Sequence, residues 1–230
     1  MPGETVLIIP ALNEEHSIAK VLEELPRGFF SAVIVVDNGS TDGTADVARR
    51  GGATVVPEPR RGYGRACLAG MAALPSSAEV VVFMDADASD VPSDALALVA
   101  PIREGRADLV IGSRAAGRAE ARALAPHQRL GNALATWLIA RLYGFRYTDL
   151  GPFRAIRAGA LRQLGMRDAG FGWTVEMQVR AVARGLRVME APVGYRRRIG
   201  QSKISGRLWP SLAAGWKIIG TIIKLRFARV

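Results

Sequence analysis

The sequence predicts a doubly wound α/β fold, a mostly parallel sheet flanked by helices, and three observations carry that prediction. Short β-branched apolar runs recur through the first half of the chain, amphipathic helical patterns fill the gaps between them, and each run ends in polar or charged residues. Runs that are apolar throughout, rather than alternating, suit parallel strands covered by helices on both faces.

The first run is TVLIIP (5–10), followed at its end by PALNEE (10–15). In EEHSIAKVLEEL the apolar residues Ile18, Val21, Leu22 and Leu25 fall at i, i+3, i+4 and i+7, one face of a helix. AVIVVD (32–37) and ATVVPE (53–58) are the next two strands, with a helix over 44–50 between them that Asp42 and Gly43 cap; Gly39 supplies a backbone conformation other residues resist. A helix over 65–74 leads to VVVFMD (80–85), and one over 93–103 leads to DLVIGS (108–113).

Past residue 114 the pattern loosens. AGRAEARALAPHQRL reads as a mobile loop, LGNALATWLIARLYG as a helix, DLGPFRAIRAG as a strand entering the short helix ALRQLG, FGWTVEMQVRAVARG as a helix and LRVMEAPVGY as a further strand. No repeat or linker interrupts the chain, so residues 1–206 are expected to form one domain. A half over 1–114 and a half over 115–206 would pack on the same sheet and complete one site, with 207–230 as a C-terminal amphipathic helix.

Composition bounds the partners. At 230 residues and 49% hydrophobic, the chain can bury a substantial core. The single cysteine, Cys67, excludes an intramolecular disulfide framework and a multi-cysteine zinc site, and the lone His16 and His127 make no metal motif. A start without a charged n-region or long apolar stretch leaves the cytoplasm as the default location. A net charge of +10 points to a polyanionic partner: nucleic acid, anionic headgroups or a phosphate-bearing substrate. Little aromatic interleaving and no recognised motif argue against nucleic acid.

In the tail, Leu208, Leu212, Ile219 and Ile222 stand at helical spacing with Lys217, Lys224, Arg226 and Arg229 as flanking cations. That pattern suits either peripheral contact with an anionic membrane or docking on the core or on a twin subunit in a homo-oligomer.

In doubly wound sheets, ligands sit outside the carboxyl ends of the strands. Here those ends carry Asn13-Glu14-Glu15, Asp37-Asn38, Arg60-Arg61-Gly62, Asp85-Ala86-Asp87 and Ser113-Arg114. Two carboxylates at i, i+2 after a strand can hold a divalent ion and a ribose hydroxyl together, because hard cations take oxygen ligands and magnesium shares them with substrate phosphates. RRGYGRAC puts Cys67 where a dinucleotide fingerprint needs its third glycine and lacks a well-spaced acidic partner.

Together PALNEE, VVDNGSTDGT, RRGYGRA, FMDADAS, VIGSR, DLGPFRAI, the helix bearing Glu176 and RRRIGQSKISG resemble, in order and spacing, the family 2 glycosyltransferases. The likeness is strongest to the dolichol-phosphate mannosyltransferase and polyprenyl-phosphate glycosyltransferase branch, over residues 4 to 206. It implies a GT-A fold and an inverting transfer from a nucleotide-sugar donor, dependent on Mg2+ or Mn2+. Carried over by motif, Pro10, Leu12 and Glu14 would line the nucleotide pocket and Asp37 with Asn38 would read the base. Asp85, Ala86 and Asp87 form the Asp-x-Asp segment, with Asp87 as principal metal ligand and Ser89 completing the shell. Arg114 and Arg129 match residues that grip an acceptor phosphate, and Arg198 and Lys203 match residues that fold over the donor diphosphate. Asn38 departs from the commoner aspartate, and no stretch after residue 206 is expected to be one of the transmembrane helices that often follow this domain.

Two acceptors fit these residues. A lipid phosphate is already anionic and needs positioning by arginine rather than a strong base, whereas a hydroxyl on a small metabolite or saccharide must lose a proton, for which Asp149 or Glu176 is the candidate. Asp149 could instead cap a turn and pair with Arg154, and Trp173 could stack on a sugar or fill the core.

Overall fold

The computed structural model describes residues 3–117, 120, 126–199 and 208–227. The chain runs β1 (Glu4–Ala11), α1 (Ile18–Glu23), β2 (Ala32–Asp37), α2 (Thr44–Arg50), β3 (Thr54–Pro57), α3 (Tyr63–Ala72) and β4 (Ala78–Phe83). A 3-10 turn at Pro92–Asp94 enters α4 (Ala95–Arg103), followed by β5 (Leu109–Ser113), α5 (Pro126–Tyr143), β6 (Arg154–Arg157), α6 (Ala158–Leu164), α7 (Trp173–Ala183), β7 (Val188–Pro192) and α8 (Leu208–Phe227).

One seven-stranded sheet has the order β3-β2-β1-β4-β6-β5-β7. Because β1 is covered on both faces, its residues alternate between two cores. Val6 and Ile8 join Val36, Phe83, Ile111 and Trp173, while Leu7 and Ile9 join Val35, Val82, Leu98 and Val110. All four β1 side chains are fully buried, worth about 1.5–3 kcal/mol each at usual transfer values.

The chain moves outward from β1 through β2 to β3, then returns to place β4 on the other side of β1. That reversal between β1 and β4 opens a crevice at their carboxyl ends, which is where a doubly wound sheet receives ligand.

β6 is antiparallel to both neighbours, with Arg154 opposite Phe83 and Ile111. An inserted antiparallel strand begins at the edge where parallel strands finish. The 149–153 segment is thereby delivered to the same edge as Asp85 and Arg114, a placement that the run DLGPFRAIRAG does not reveal by itself.

Two expectations change. The strand expected over 80–85 stops at Phe83, which leaves Asp85 and Asp87 on the following loop. The helix expected from 130 starts at Pro126, where proline suits a first turn, and residues 118, 119 and 121–125 of the expected loop lie outside the described residues.

Of the readings left open for the tail, α8 adopts docking on the core: it lies on α5 and α7, where the Tyr143 hydroxyl donates to the Ile222 carbonyl at 2.7 Å and Lys217 meets Asp168 at 3.2 Å. Ile222 therefore faces the core rather than solvent, and the exposed apolar stripe is Trp216, Ile223 and Phe227. Among the described residues no helix is long and apolar enough to cross a membrane.

Candidate active site

A pocket of about 840 Å³ opens at the carboxyl edge. β1 leads into Pro10, Leu12 and Glu14 on one wall; the loop after β4 gives Asp85, Ala86 and Asp87; Arg114 follows β5; and Tyr195 and Arg198 come from the segment after β7. Asn132 of α5, Phe171, and Gly215, Ile218 and Ile219 of α8 close the far side.

The acidic segment is held from behind. Ser89 donates its backbone N–H at 3.0 Å and its hydroxyl to Asp87 Oδ1, while Arg198 Nη1 meets Asp87 Oδ2 at 3.1 Å. Backbone bonds from Arg196 to Ser89 and from Ile199 to Asp87 fasten the arginine-bearing segment alongside. Tyr63 donates to Asp85 Oδ1 at 3.1 Å. Loss of water, reinforced by the charge of Asp87, pushes Asp85 up to about 6.

Asp90 lies beneath the pair, buried, accepting from the Asp85 N–H at 3.2 Å with one oxygen, while among the described residues its other oxygen has no partner. Burial, with the charges of Asp85 and Asp87, raises Asp90 well above the usual carboxylate range.

Two carboxylates of this segment, Asp85 and Asp87, line the pocket. Those donors fit a divalent cation. Among the described residues no three His, Cys, Asp or Glu side chains converge as a ready-made cage, which suits an ion bound by two carboxylates and a substrate diphosphate.

On the opposite side Arg114 and Asp149 form a fork. Arg114 Nε and Nη2 donate to Asp149 Oδ2 and Oδ1 at 2.7 Å each, and the Arg114 backbone N–H adds a bond of 2.8 Å to Oδ2. The guanidinium lies 5.0 Å from the Tyr195 ring centre. Burial opposes its charge, but the carboxylate more than offsets this and holds Arg114 above its ordinary pKa. Asp149 is itself buried, and Glu190 accepts the Thr148 and Asp149 backbone N–H groups that orient it.

Several expected residues do other work. Glu176 is buried away from the pocket, where it accepts the Arg167 and Asp168 backbone N–H groups and Arg180 Nε; it organises the turn before α7 and is not poised as a base. Both Asp149 oxygens are engaged by Arg114, which fixes the guanidinium in the plane of the carboxylate's two bonds. Its partner is not Arg154, which is fully buried and donates to the carbonyls of Gly151, Pro152 and Thr174; burial lowers its pKa to about 10.

Asp37 does not line the pocket and accepts the Ser40 N–H at 3.0 Å. Arg129 is exposed on α5, whose Gly131 and Asn132 reach the pocket in its place. Trp173 is core, 4.7 Å from the Phe83 ring centre. Lys203 lies outside the described residues.

Asn38 explains its own departure from aspartate. Its amide nitrogen donates to the Glu58 and Arg60 carbonyls at 2.9 Å each, and its oxygen accepts the Gly62 N–H at 2.8 Å. A carboxylate could not donate either of the first two bonds. The loop so pinned presents Arg61, Gly62 and Tyr63 to the pocket. Beyond it, a Cβ on Gly64 would fall 2.0 Å from the Asp168 carbonyl oxygen, so the glycines of RRGYGRA serve close packing.

Sequence reasoning does not find Tyr63, Asp90 or Tyr195. The signals available were weak: Asp90 follows the acidic pair by three residues, and Tyr195 precedes the arginine triplet. Asp90 and Tyr195 are brought together by an isolated bridge, and Tyr63 reaches Asp85 across 22 residues, contacts distant in sequence.

A family model described as Glycosyl transferase family 2 matches residues 6–165. An uncharacterized glycosyltransferase of Mycobacterium tuberculosis is 42% identical over 225 residues, 95% of this chain and 100% of that one. An undecaprenyl-phosphate mannosyltransferase of Micrococcus luteus is 32% identical over 225 residues, 86% of each. Among solved structures, glucosyl-3-phosphoglycerate synthase of M. tuberculosis in complex with Mn2+, UDP-glucose and phosphoglyceric acid superimposes with a TM-score of 0.76 at 25% identity, covering 97% of this chain and 80% of that one. The solved relatives share the sheet and its flanking helices, the GT-A fold.

Proposed function

The chain belongs to glycosyl transferase family 2, and from that membership we propose that this nucleotide-sugar glycosyltransferase moves its sugar to a polyprenyl phosphate at the cytoplasmic face of a membrane, with inversion at the anomeric carbon. The observation that carries the choice of acceptor is the bidentate Arg114–Asp149 pair. It fixes a planar cation at the pocket wall and occupies both Asp149 oxygens, while Glu176, outside the pocket lining, is held separately by the Arg167 and Asp168 backbone N–H groups.

A phosphate acceptor suits that arrangement. Its oxygen is already anionic at neutral pH, so it attacks the anomeric carbon without losing a proton, and the glycosidic electron pair departs with the nucleoside diphosphate. Pro10, Leu12 and Glu14 would bound the nucleotide, while Asn38 holds the 58–62 loop that forms its other border. Arg198, released from Asp87, would turn its charge to the diphosphate. A divalent cation, Mg2+ or Mn2+, held by Asp85 and Asp87 with Ser89 behind them, would neutralise the charge that develops on the leaving group.

A second reading is favoured by the likeness to a synthase crystallised with phosphoglyceric acid: a water-soluble phosphorylated acceptor with a reacting hydroxyl. It needs a base that Asp149 and Glu176, as bonded, do not supply.

Incubation with labelled UDP-, GDP- and dTDP-sugars, divalent metal, and either undecaprenyl phosphate or 3-phosphoglycerate separates the two. Label in the organic phase is expected. Label confined to the phosphoglycerate product selects the second reading, and no transfer to either acceptor counts against both.

A further inference from the structure

We propose that α5 and α8 together form a surface that docks on an anionic lipid bilayer and holds the pocket mouth against it, an inference that rests on the reading of a lipid-borne acceptor and names the partner that presents it.

Both helices show solvent an apolar stripe. On α5, Leu130, Leu134 and Trp137 follow at i, i+4 and i+7, with Trp137 61% exposed, while Ala135 and Ile139 face the core. On α8, Trp216, Ile223 and Phe227 follow at i, i+7 and i+11, with Trp216 and Phe227 74% and 84% exposed, while Ile222 and Leu225 face inward. Single exposed apolar residues are ordinary, but two aromatic-bearing stripes on helices that touch each other are not.

Their position ties them to the site. Gly131, next to Leu130, and Gly215, next to Trp216, both line the pocket. Each exposed stripe thus begins one residue from the pocket lining, on the same helix.

Charge selects the occupant. Neither Pro126–Tyr143 nor Leu208–Phe227 contains an aspartate or glutamate, whereas they carry Arg129, Arg141, Lys217, Lys224 and Arg226. Apolar and aromatic residues beside cations, on helices unable to span, match an interface with acyl chains below and phosphate headgroups around. A second copy of this chain would bring the same cations and repel them.

The test is flotation of the full chain with phosphatidylcholine vesicles, with and without phosphatidylglycerol and free of polyprenyl phosphate. Tryptophan quenching by brominated acyl chains is read in parallel. The wild type should float with the anionic vesicles, less so at high salt, and be quenched. The triple variant Trp137→Ala, Trp216→Ala, Phe227→Ala should lose binding by about tenfold or more per aromatic removed, and Lys224→Glu with Arg226→Glu should lose the preference for anionic lipid.

Failure of the wild type to float, binding that both variants retain, or equal binding to neutral vesicles overturns the proposal. So does a stable dimer that the triple variant converts to monomer, which would assign the face to a second copy. Flotation without any lipid-linked sugar product would leave the surface standing and sink the acceptor reading. Product formed in detergent by a chain that does not float would do the reverse.

Discussion

Arg198 Nη1 and Asp87 Oδ2 stand 3.1 Å apart, so in the ligand-free chain the residue expected to hold the donor's cation is paired with the residue expected to hold its diphosphate. In the proposed mechanism one arginine would serve two anions in turn. Arg198→Ala should destabilise the ligand-free protein by about 1–2 kcal/mol, below the about 3–5 kcal/mol of a fully buried pair because Arg198 is one-third exposed. It should also raise the donor KM. Urea unfolding and donor titration check the two effects; unchanged values in both would remove the pairing from the account.

Asp149 and Glu176 are both buried carboxylates, yet they should respond differently. Asp149→Asn breaks the fork that aims Arg114 and should lower kcat/KM by up to about 100-fold, the size expected when a positioning group slips by an ångström. Glu176→Gln should cost about 1–3 kcal/mol of stability through its backbone N–H partners while leaving kcat near wild type. Steady-state kinetics beside thermal unfolding distinguishes them, and a collapse of kcat in the Glu176 variant at full stability would restore it as a base.

Asn38→Asp exchanges two donors for two acceptors facing the Glu58 and Arg60 carbonyls. The 58–62 loop should loosen at a cost of about 1–3 kcal/mol, with weaker nucleotide binding because Gly62 and Tyr63 line the pocket. Calorimetric unfolding and nucleotide titration read both; wild-type stability would show that the amide bonds do not anchor the loop.

Asp85 yields a pH prediction. Its pKa rises from 3.8 to about 6 on folding, mainly through lost water and the charge of Asp87. Between those values the native state keeps a proton that the unfolded chain has released, so stability falls as pH rises through the window and the full penalty applies above it. Asp85→Asn removes that penalty. The ligand-free variant should melt higher than wild type above pH 6, with the advantage gone below pH 3.8. A gain that is constant with pH would mean that the carboxylate charge is not the cause.

The fold was largely legible because its signals are local. Runs such as TVLIIP and AVIVVD must be covered on both faces, and the Ile18–Leu25 spacing leaves one helical face to cover them. The direction of β6 was not legible, since an isolated RAIR strand pairs either way until its neighbours are known.

Within the site, the Asp85–Asp87 segment and Arg114 announce themselves at strand ends. Asp149 and Glu176 could not be ranked, because what distinguishes them is which N–H groups fold back onto each carboxylate. Such partners lie up to 35 residues away, as for Arg114 and Asp149. The tail left its readings open for the same reason: Ile222 and Phe227 look alike in sequence, yet the first is buried and the second exposed.

Calorimetric titration of nucleotide sugars into wild type and Asp87→Ala, with Mn2+ and with a chelator, tests most directly whether the β4 loop holds the donor through a cation. The account predicts tight binding only for wild type with metal. Equal affinity in chelator, or in the Asp87 variant with metal, would contradict it.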